Sequence, residues 1–415
     1  MSLINRRTWL KQASMTSLPL LMTSVINAAE TSGRKKLPVA AIVTEYTPNS
    51  HADVLVGKIL EGFKQQGGPG PDLYLASLYT DQVPERDLSR VLSHKYHFPI
   101  APKIEEAITL GSNQVQVAGV LSIGEHGTYP NTPDTNQKMY PRKRFFDEIT
   151  ATFKKYNKAV PVFNDKHLGY RWQDAKEMVD TSHKMGFPLM AGSSLPLTWR
   201  KPALTLPANC EIESVLSIGR GHFEAHGFHT LEAQQCLIER RKGITGVTAV
   251  QAVRGKQIWE SERQGQWSRS MLQAALDAIP NVAKGNWGEI LKDDSAFFHI
   301  DHQDGLKSTA AIINRLGRHY AVALKLRGQQ KPIATWFKLE LTPPFGHFAY
   351  LLKAIEHMIH TGQPAYPVER TLLTTGILDA VMHSLAANGK RLETPQLAIN
   401  YKSGDWPFAN QQMKH

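Results

Sequence analysis

Apolar and polar positions follow two different rhythms along this chain, and the first half keeps the simpler one. Short continuous apolar runs at Val39–Val43, Leu73–Leu78, Val117–Ile123, Val160–Phe163 and Pro188–Ala191 each end at polar or glycine residues. Runs of that length without alternation are strands buried on both faces. The stretches between them carry apolar residues three and four apart, the stripe of a helix. Val54, Leu55, Ile59, Leu60 and Phe63 form one stripe, behind Ser50 as N-cap with Asp53 in the capping-box position. Further helices are predicted over Asp87–Tyr96, Ile104–Leu110, Arg142–Tyr156 and Trp172–Lys184. Strands alternating with helices predict a parallel sheet of right-handed βαβ units.

The rhythm changes at Pro202–Pro207. Glu211–Gly219, Val247–Val253, Phe297–His302, Leu306–Ile313, Tyr320–Leu326 and Ile333–Leu341 read as strands with hairpin-like connections. His302-Gln303-Asp304-Gly305 is a strong hairpin turn. Helices over Gly346–His360 and Val368–Asn388 flank Thr361-Gly362-Gln363-Pro364, and a last strand is predicted over Gln396–Tyr401. The predicted fold class is an α/β Rossmann-like N-terminal domain with a parallel sheet, residues 37–200. An α+β domain with a largely antiparallel sheet follows over 201–401, then a tail, 402–415.

Composition adds bounds. The chain has 415 residues, 41% hydrophobic and 20% charged, which suits a soluble protein of two or three domains. Residues 1–29 are set apart. Arg6-Arg7 precedes a modestly apolar segment, Ala13 to Ile26, and Ala28-Ala29 suits signal peptidase. This resembles a twin-arginine export signal, so the expected partner is the twin-arginine export machinery and the expected location is periplasmic or extracellular. After it no apolar run is long enough to span a membrane. The formal net charge of +11 is dispersed, and no basic run is interleaved with aromatics as nucleic-acid binding requires. Cys210 and Cys236 make no disulfide framework or metal finger; two separate thiols are the default, with one bridge left open.

Candidate chemistry gathers at the ends of the first-half strands, where ligands bind in open α/β sheets. The run at Val160–Phe163 ends in Asn164, Asp165, Lys166 and His167; the one at Val117–Ile123 ends in Gly124-Glu125-His126. A carboxylate beside an imidazole suits acid–base work. Thr44 and Asp81 end the first two strands, Asp81 where a ribose-binding acid would sit. Tyr140, Arg142 and Arg200 are candidates for gripping a polar or acidic substrate. Ser193-Ser194 could bond a sugar hydroxyl but lacks the G-x-S-x-G elbow of a serine hydrolase. His222, His226 and His229, with Glu224 between, have spacings that would suit a divalent ion on one helix face, but Gly221 and Gly227 are expected to interrupt a helix there, so no metal is assigned.

The chain resembles the Gfo/Idh/MocA family, named for glucose–fructose oxidoreductase, on three stretches. Ala354-Ile355-Glu356-His357 to Thr361-Gly362-Gln363-Pro364, followed by Glu369 and the helix to Ala387, is similar to the family's F-x-x-x-I-x-x-G-x-x-P segment. Asp165-Lys166-His167 sits where the family carries Glu-Lys-Pro, and Gly227-Phe228-His229, with Leu231 and Leu237, looks like the start of the helix bearing its catalytic histidine. The resemblance implies hydride transfer between a carbohydrate-like or polyol substrate and tightly held NAD or NADP. Lys166 and His229 would be catalytic, with Asp165 and His167 beside them. Thr44, Asp81, Glu125, His126 and Asn164 would face the cofactor, and Tyr140, Arg142, Ser193 and Arg200 the substrate. It also implies a homo-oligomer packed through the second-domain sheet. The alternatives on this scaffold are a non-redox sugar hydrolase, lyase or epimerase, metal-assisted or not, and an inactive sugar-binding protein. Three departures mark an exported, divergent subgroup. Thr44-Glu45-Tyr46-Thr47-Pro48-Asn49-Ser50 stands where the family has G-x-G-x-x-G, the Glu-Lys-Pro is changed, and Ala225 replaces an Asp four before His229.

Overall fold

The computed structural model describes residues 34–243, 245–282, 290–291, 294–317 and 319–411. The twin-arginine segment lies outside the described residues. Strands β1 (Leu37–Val43), β2 (Leu73–Thr80), β3 (Gly119–Ile123), β4 (Val162–Asp165) and β5 (Leu189–Gly192) form a parallel sheet of order β2-β1-β3-β4-β5. Helices α1 (His51–Glu61), α2 (Ser89–Tyr96), α3 (Ile104–Thr109), α4 (Arg142–Lys155) and α5 (Trp172–Met185) connect them. The apolar runs do what an unalternated pattern dictates. Val39, Ala41 and Val43 of β1 pack into one cluster with α1, while Ala40 and Ile42 pack into another with α3, α4 and α5. The predicted cap is present, with Ser50 Oγ accepting from Asp53 N at 3.3 Å. The reciprocal arm from Asp53 reaches Asn49 N at 2.8 Å, one residue earlier than a capping box places it.

A second sheet has eight strands in the order β13-β8-β9-β10-β7-β11-β12-β6. They are β6 (Trp199–Lys201), β7 (Ile212–Gly219), β8 (Val247–Arg254), β9 (Ala296–His302), β10 (Lys307–Ile312), β11 (Tyr320–Leu326), β12 (Ile333–Lys338) and β13 (Leu392–Glu393). All pairs are antiparallel except β10 with β7. The β9–β10 hairpin closes at the predicted turn, with His302 N donating to Leu306 O at 2.9 Å. No strand forms over Gln396–Tyr401. Pro395 has no N–H for the ladder, so the chain turns at Pro395–Leu397 after the two-residue β13.

Helix α6 (Ala225–Ile238) packs on the inner face of this sheet, followed in sequence by α7 (Lys256–Arg263) and α8 (Arg269–Asp277) on the outer one. The closing pair is α9 (His347–Thr361) and α10 (Val368–Ala386). Gly227 does not interrupt α6: its missing side chain admits Phe298, 3.1 Å from where a Cβ would sit. Helix α10 is buried along nearly its whole length, with Arg370 and Asp379 held by partners from other elements; Leu373, Ile377 and Val381 join a core that includes strands of both sheets. On the outer face, Leu216, Ile218, Phe297 and Ala323 are covered by Ile258, Trp267, Met271 and Leu272 of the α7–α8 segment. The α7–α8 segment thus covers this part of the outer face. Cys210 and Cys236 are free thiols. Among the described residues no helix is long and apolar enough to cross a membrane.

Candidate active site

The carboxyl ends of β1, β3, β4 and β5 and the first turns of α1, α4 and α6 meet at one place. Two of the strands end in residues with unusual backbone. His126 after β3 has φ +70° and Lys166 after β4 has φ +68°. A left-handed conformation costs a side-chain-bearing residue roughly 1–2 kcal/mol, and such cost collects at functional sites. Here it turns Lys166 back so that its N–H donates to Gly192 O at 3.0 Å and its side chain runs inward.

Lys166 Nζ lies 2.6 Å from His229 Nε2 and 3.5 Å from Glu125 Oε1. An ammonium has only donors, so His229 Nε2 accepts and its proton sits on Nδ1. That Nδ1–H donates to Ser193 Oγ at 3.1 Å, and the Ser193 hydroxyl donates to Glu232 at 2.5 Å. Burial, reinforced by the Lys166 charge, holds His229 well below the ordinary imidazole range, so the ring is neutral.

Glu125 joins this chain to a second one. Arg142 is fully buried at the start of α4, and its Nη2 donates to Glu125 Oε2 at 2.6 Å. Gly124 makes that approach possible, since a Cβ there would lie 2.7 Å from Arg142 Cγ. Burial opposes the Glu125 charge, but Lys166 and Arg142 outweigh it and hold the carboxyl well below its ordinary range. Arg142 Nη1 donates to His167 Nε2 at 2.9 Å, so His167 is neutral as well. Its 3.6 Å approach to Glu224 is then a charge-near contact and not a hydrogen bond. Tyr140 lies under the Arg142 guanidinium, 5.0 Å from its ring centroid, and burial raises its hydroxyl to about 12. A cavity of about 620 Å³ opens beside this group, lined by Glu125, Lys138, Tyr140, His167, Glu224 and Arg254 among others.

The third group is His51 in the first turn of α1. Its Nδ1 is 2.6 Å from Asp165 Oδ2, and its ring stands 5.5 Å from that of His126. Thr44 Oγ1 bonds Glu125 O at 2.5 Å and ties the end of β1 to that of β3. Asn164 Nδ2 bonds the carbonyls of Asp165 and His167, both at 3.2 Å, and shapes the turn.

Eleven of the thirteen residues singled out from sequence therefore meet, and two stand apart. Asp81 accepts from Tyr79, Tyr129 and Arg144 at 2.9, 2.7 and 2.5 Å, which engages both its oxygens within the chain. Arg200 sits on β6 in the other sheet. It bonds the carbonyls of Leu204 and Pro196 and lies 3.9 Å from the Phe408 ring centroid. Two residues that sequence reasoning did not single out, His51 and Glu232, complete the site, together with Glu224, named from sequence only beside the histidine cluster. His51 follows the N-cap Ser50 and carries no pattern of its own in the sequence. Glu232 left one trace, a carboxylate on a helix whose neighbours at Leu231, Ala233 and Leu237 are apolar. His222, His226 and His229 form no metal centre; among the described residues no group of three His, Cys, Asp or Glu could hold an ion.

No family model matches this sequence, and no curated protein matches it. Solved structures do. GenD2 from gentamicin A biosynthesis, in complex with NAD, is 14% identical with a TM-score of 0.55, over 87% of this chain and 97% of that one. An oxidoreductase from Agrobacterium radiobacter, in complex with NAD+, L-tartaric acid and magnesium, is 15% identical with a TM-score of 0.54, over 86% and 98%. A myo-inositol dehydrogenase from Corynebacterium glutamicum is 12% identical with a TM-score of 0.52, over 86% and 98%. The fold is that of the Gfo/Idh/MocA-type dehydrogenases.

Proposed function

We propose that the protein is an oxidoreductase that transfers hydride between a carbohydrate or polyol hydroxyl and a nicotinamide cofactor, NAD or NADP. The observation that carries this reading is the 2.6 Å contact of Lys166 Nζ with His229 Nε2 at the carboxyl edge of the parallel sheet. The structures of GenD2 and the A. radiobacter oxidoreductase, both complexes with NAD, support it.

The residues fit the two ends of such a cofactor differently. Thr44, Glu125, Asn164 and Lys166 cluster at the carboxyl ends of β1, β3 and β4, on the nicotinamide side of the switch point between β1 and β3 that this reading requires. At the phosphate end there is no glycine; Tyr46 is fully buried in the turn, and Glu45 accepts from Thr47 Oγ1 at 2.9 Å. When bound, the nicotinamide supplies the hydride acceptor. The chain supplies the rest. Lys166 takes the hydroxyl proton once its own has left and His229 orients it, while Glu125 stays ionised and anchors the amine. Tyr140, His167 and Glu224 present polar groups to a ligand in the cavity. Protein purified through its own export route should release NAD or NADP on denaturation, read by mass spectrometry. Cofactor-free protein that also ignores added NAD and NADP would overturn the reading.

A second reading rests on His51. An imidazole held by a buried carboxylate is the orientation of a general base, and with Lys166–His229 it gives two acid–base pairs in one site. That suits a non-redox lyase or epimerase, which the same mass-spectrometric experiment separates from the first. The proposed setting is the periplasm or beyond, supported by Arg6-Arg7. Lysines at both positions should keep the protein in the cytoplasm, and unchanged export would remove the proposal.

A further inference from the structure

Lys166 must shed a proton before it can accept one, and it is buried. The hydrogen bonds lead that proton away from solvent. Beyond His229 lies Ser193 Oγ at 3.1 Å, and beyond it Glu232 at 2.5 Å. Every donor in the row points the same way, from Lys166 towards Glu232. The backbone is shaped for this row. Gly192 holds φ +124°, and a Cβ there would stand 2.5 Å from Glu232 Oε1. Ser193 N also donates to Glu232 Oε2, at 3.0 Å. The family-like position four before His229 is Ala225, so the carboxylate behind this histidine comes instead from three residues after it.

We propose that Lys166, His229, Ser193 and Glu232 form a proton relay in which Glu232 stores the proton that Lys166 gives up. The step balances. Lys166 passes H+ to His229 Nε2, His229 passes its Nδ1 proton to Ser193 Oγ, and Ser193 passes its hydroxyl proton to Glu232. Lys166 is left a neutral amine, His229 a neutral ring with its proton on Nε2, Ser193 a hydroxyl and Glu232 a neutral acid. One charge pair disappears from a buried site. No oxidant or other reactant is needed. In this relay Ser193 and Glu232 act through His229, as positioning residues.

The surroundings suit a proton store. Glu232 is wholly buried, and burial raises its carboxyl to about 7 against the pull of Ser193, Arg370 and Lys166. The charged and titratable groups facing it are Arg370 on α10, Tyr366 on the segment before α10, Lys166 after β4, and Cys236 on its own helix. Arg370 is committed elsewhere, to Glu239 through both Nε and Nη2. The relay deepens the oxidoreductase reading and rests on Lys166 being its base, but its test needs no cofactor.

Two spectra of the full-length protein decide it. Infrared difference spectra should show the C=O stretch of a protonated carboxyl growing in as pH falls through about 7, and Glu232→Gln should abolish that band. Nitrogen-15 NMR of labelled histidine should find His229, assigned by its loss in His229→Gln, as the Nδ1–H tautomer, and Ser193→Ala should shift it towards Nε2–H. No titrating band, or an Nε2–H tautomer in the unmodified protein well above pH 7, where Glu232 is ionised, overturns the relay. Should Glu232→Gln fail to fold, the His229 tautomer in the unmodified protein still decides. If the relay spectra hold but no NAD(P) is released, the oxidoreductase reading alone fails.

Discussion

The turns after β1 and β4 occupy equivalent places, each carrying a strand into a helix at the carboxyl edge of one sheet, yet they are built oppositely. After β4, Asp165, Lys166 and His167 all turn inward and each meets a partner from another element: His51, His229 and Arg142. After β1, Tyr46 fills the turn, Ser50 closes on Thr47 O, and Leu88 N bonds Tyr46 O at 2.7 Å. One turn projects chemistry and the other is packed with its own side chains. Thr44 reaches Glu125 O, and His51 crosses to Asp165 and ties the two turns together. Reactive groups can therefore be kept on a scaffold while the phosphate-side turn is rebuilt around them, because the two turns draw on separate parts of the sequence.

The sharpest break in that comparison is Arg142→Met. It removes the partner that both Glu125 and His167 rely on and leaves a buried carboxylate with Lys166 alone. Breaking a buried pair from one side costs about 3–5 kcal/mol. Urea unfolding should show that loss; a change below about 1 kcal/mol would mean the β4 side is less tightly organised than its hydrogen bonds imply.

Acid should act on the site next. Burial lowers His126 and His226 to about 4. Both are neutral in the folded protein and take up protons on unfolding below about 6.5. Their contribution to stability is full above about 6.5 and is lost as pH falls from there through about 4. Denaturation midpoints measured across that window should fall, and His126→Gln should flatten the slope. Unchanged midpoints would show that these rings already hold protons when folded.

Asp165→Asn tests the tie itself. It keeps the shape but weakens the charge-assisted bond to His51, for a loss of about 1–3 kcal/mol. The nitrogen-15 signals of His51 should lose their Nδ1–H bias at the same time. If they keep it, another group holds that ring.

How much of this was legible follows from where each signal lives. Continuous apolar runs report burial on both faces, so the parallel strands were readable one by one. Lys166 and His229 were found because each sits in a local pattern. The β1 turn's closure was not readable, since it depends on Leu88 reaching back across the sheet edge. His51 looks like any residue behind an N-cap, and only the β1-β3-β4 adjacency brings it to Asp165. Arg200 was misplaced for a related reason: three residues of β6 join the second sheet, and Phe408, over two hundred residues later, covers them. The α7–α8 cover was missed because its apolar residues are scattered among charges and face a sheet made from distant segments.

The smallest effect discriminates most finely between the two turns. Glu45 places a carboxylate in the turn that leads into α1, on the side from which a phosphate would meet the helix N-terminus. Glu45→Gln removes the charge and keeps a hydrogen-bond acceptor for Thr47, so the turn should stay closed. A charge at a helix end is worth about 0.3–1 kcal/mol. If NAD lies across this turn, its dissociation constant should fall by a factor of about 2–5, with the gain shrinking as salt is added. Nicotinamide mononucleotide, which lacks the second phosphate and the adenosine, should gain less. Equal gains for both ligands would place the charge near the nicotinamide end instead, and no gain for either would mean that the β1 turn has left the phosphate site altogether. In that last case the β4 turn carries the chemistry, and what the β1 side adds to it is Thr44 at Glu125 and His51 at Asp165.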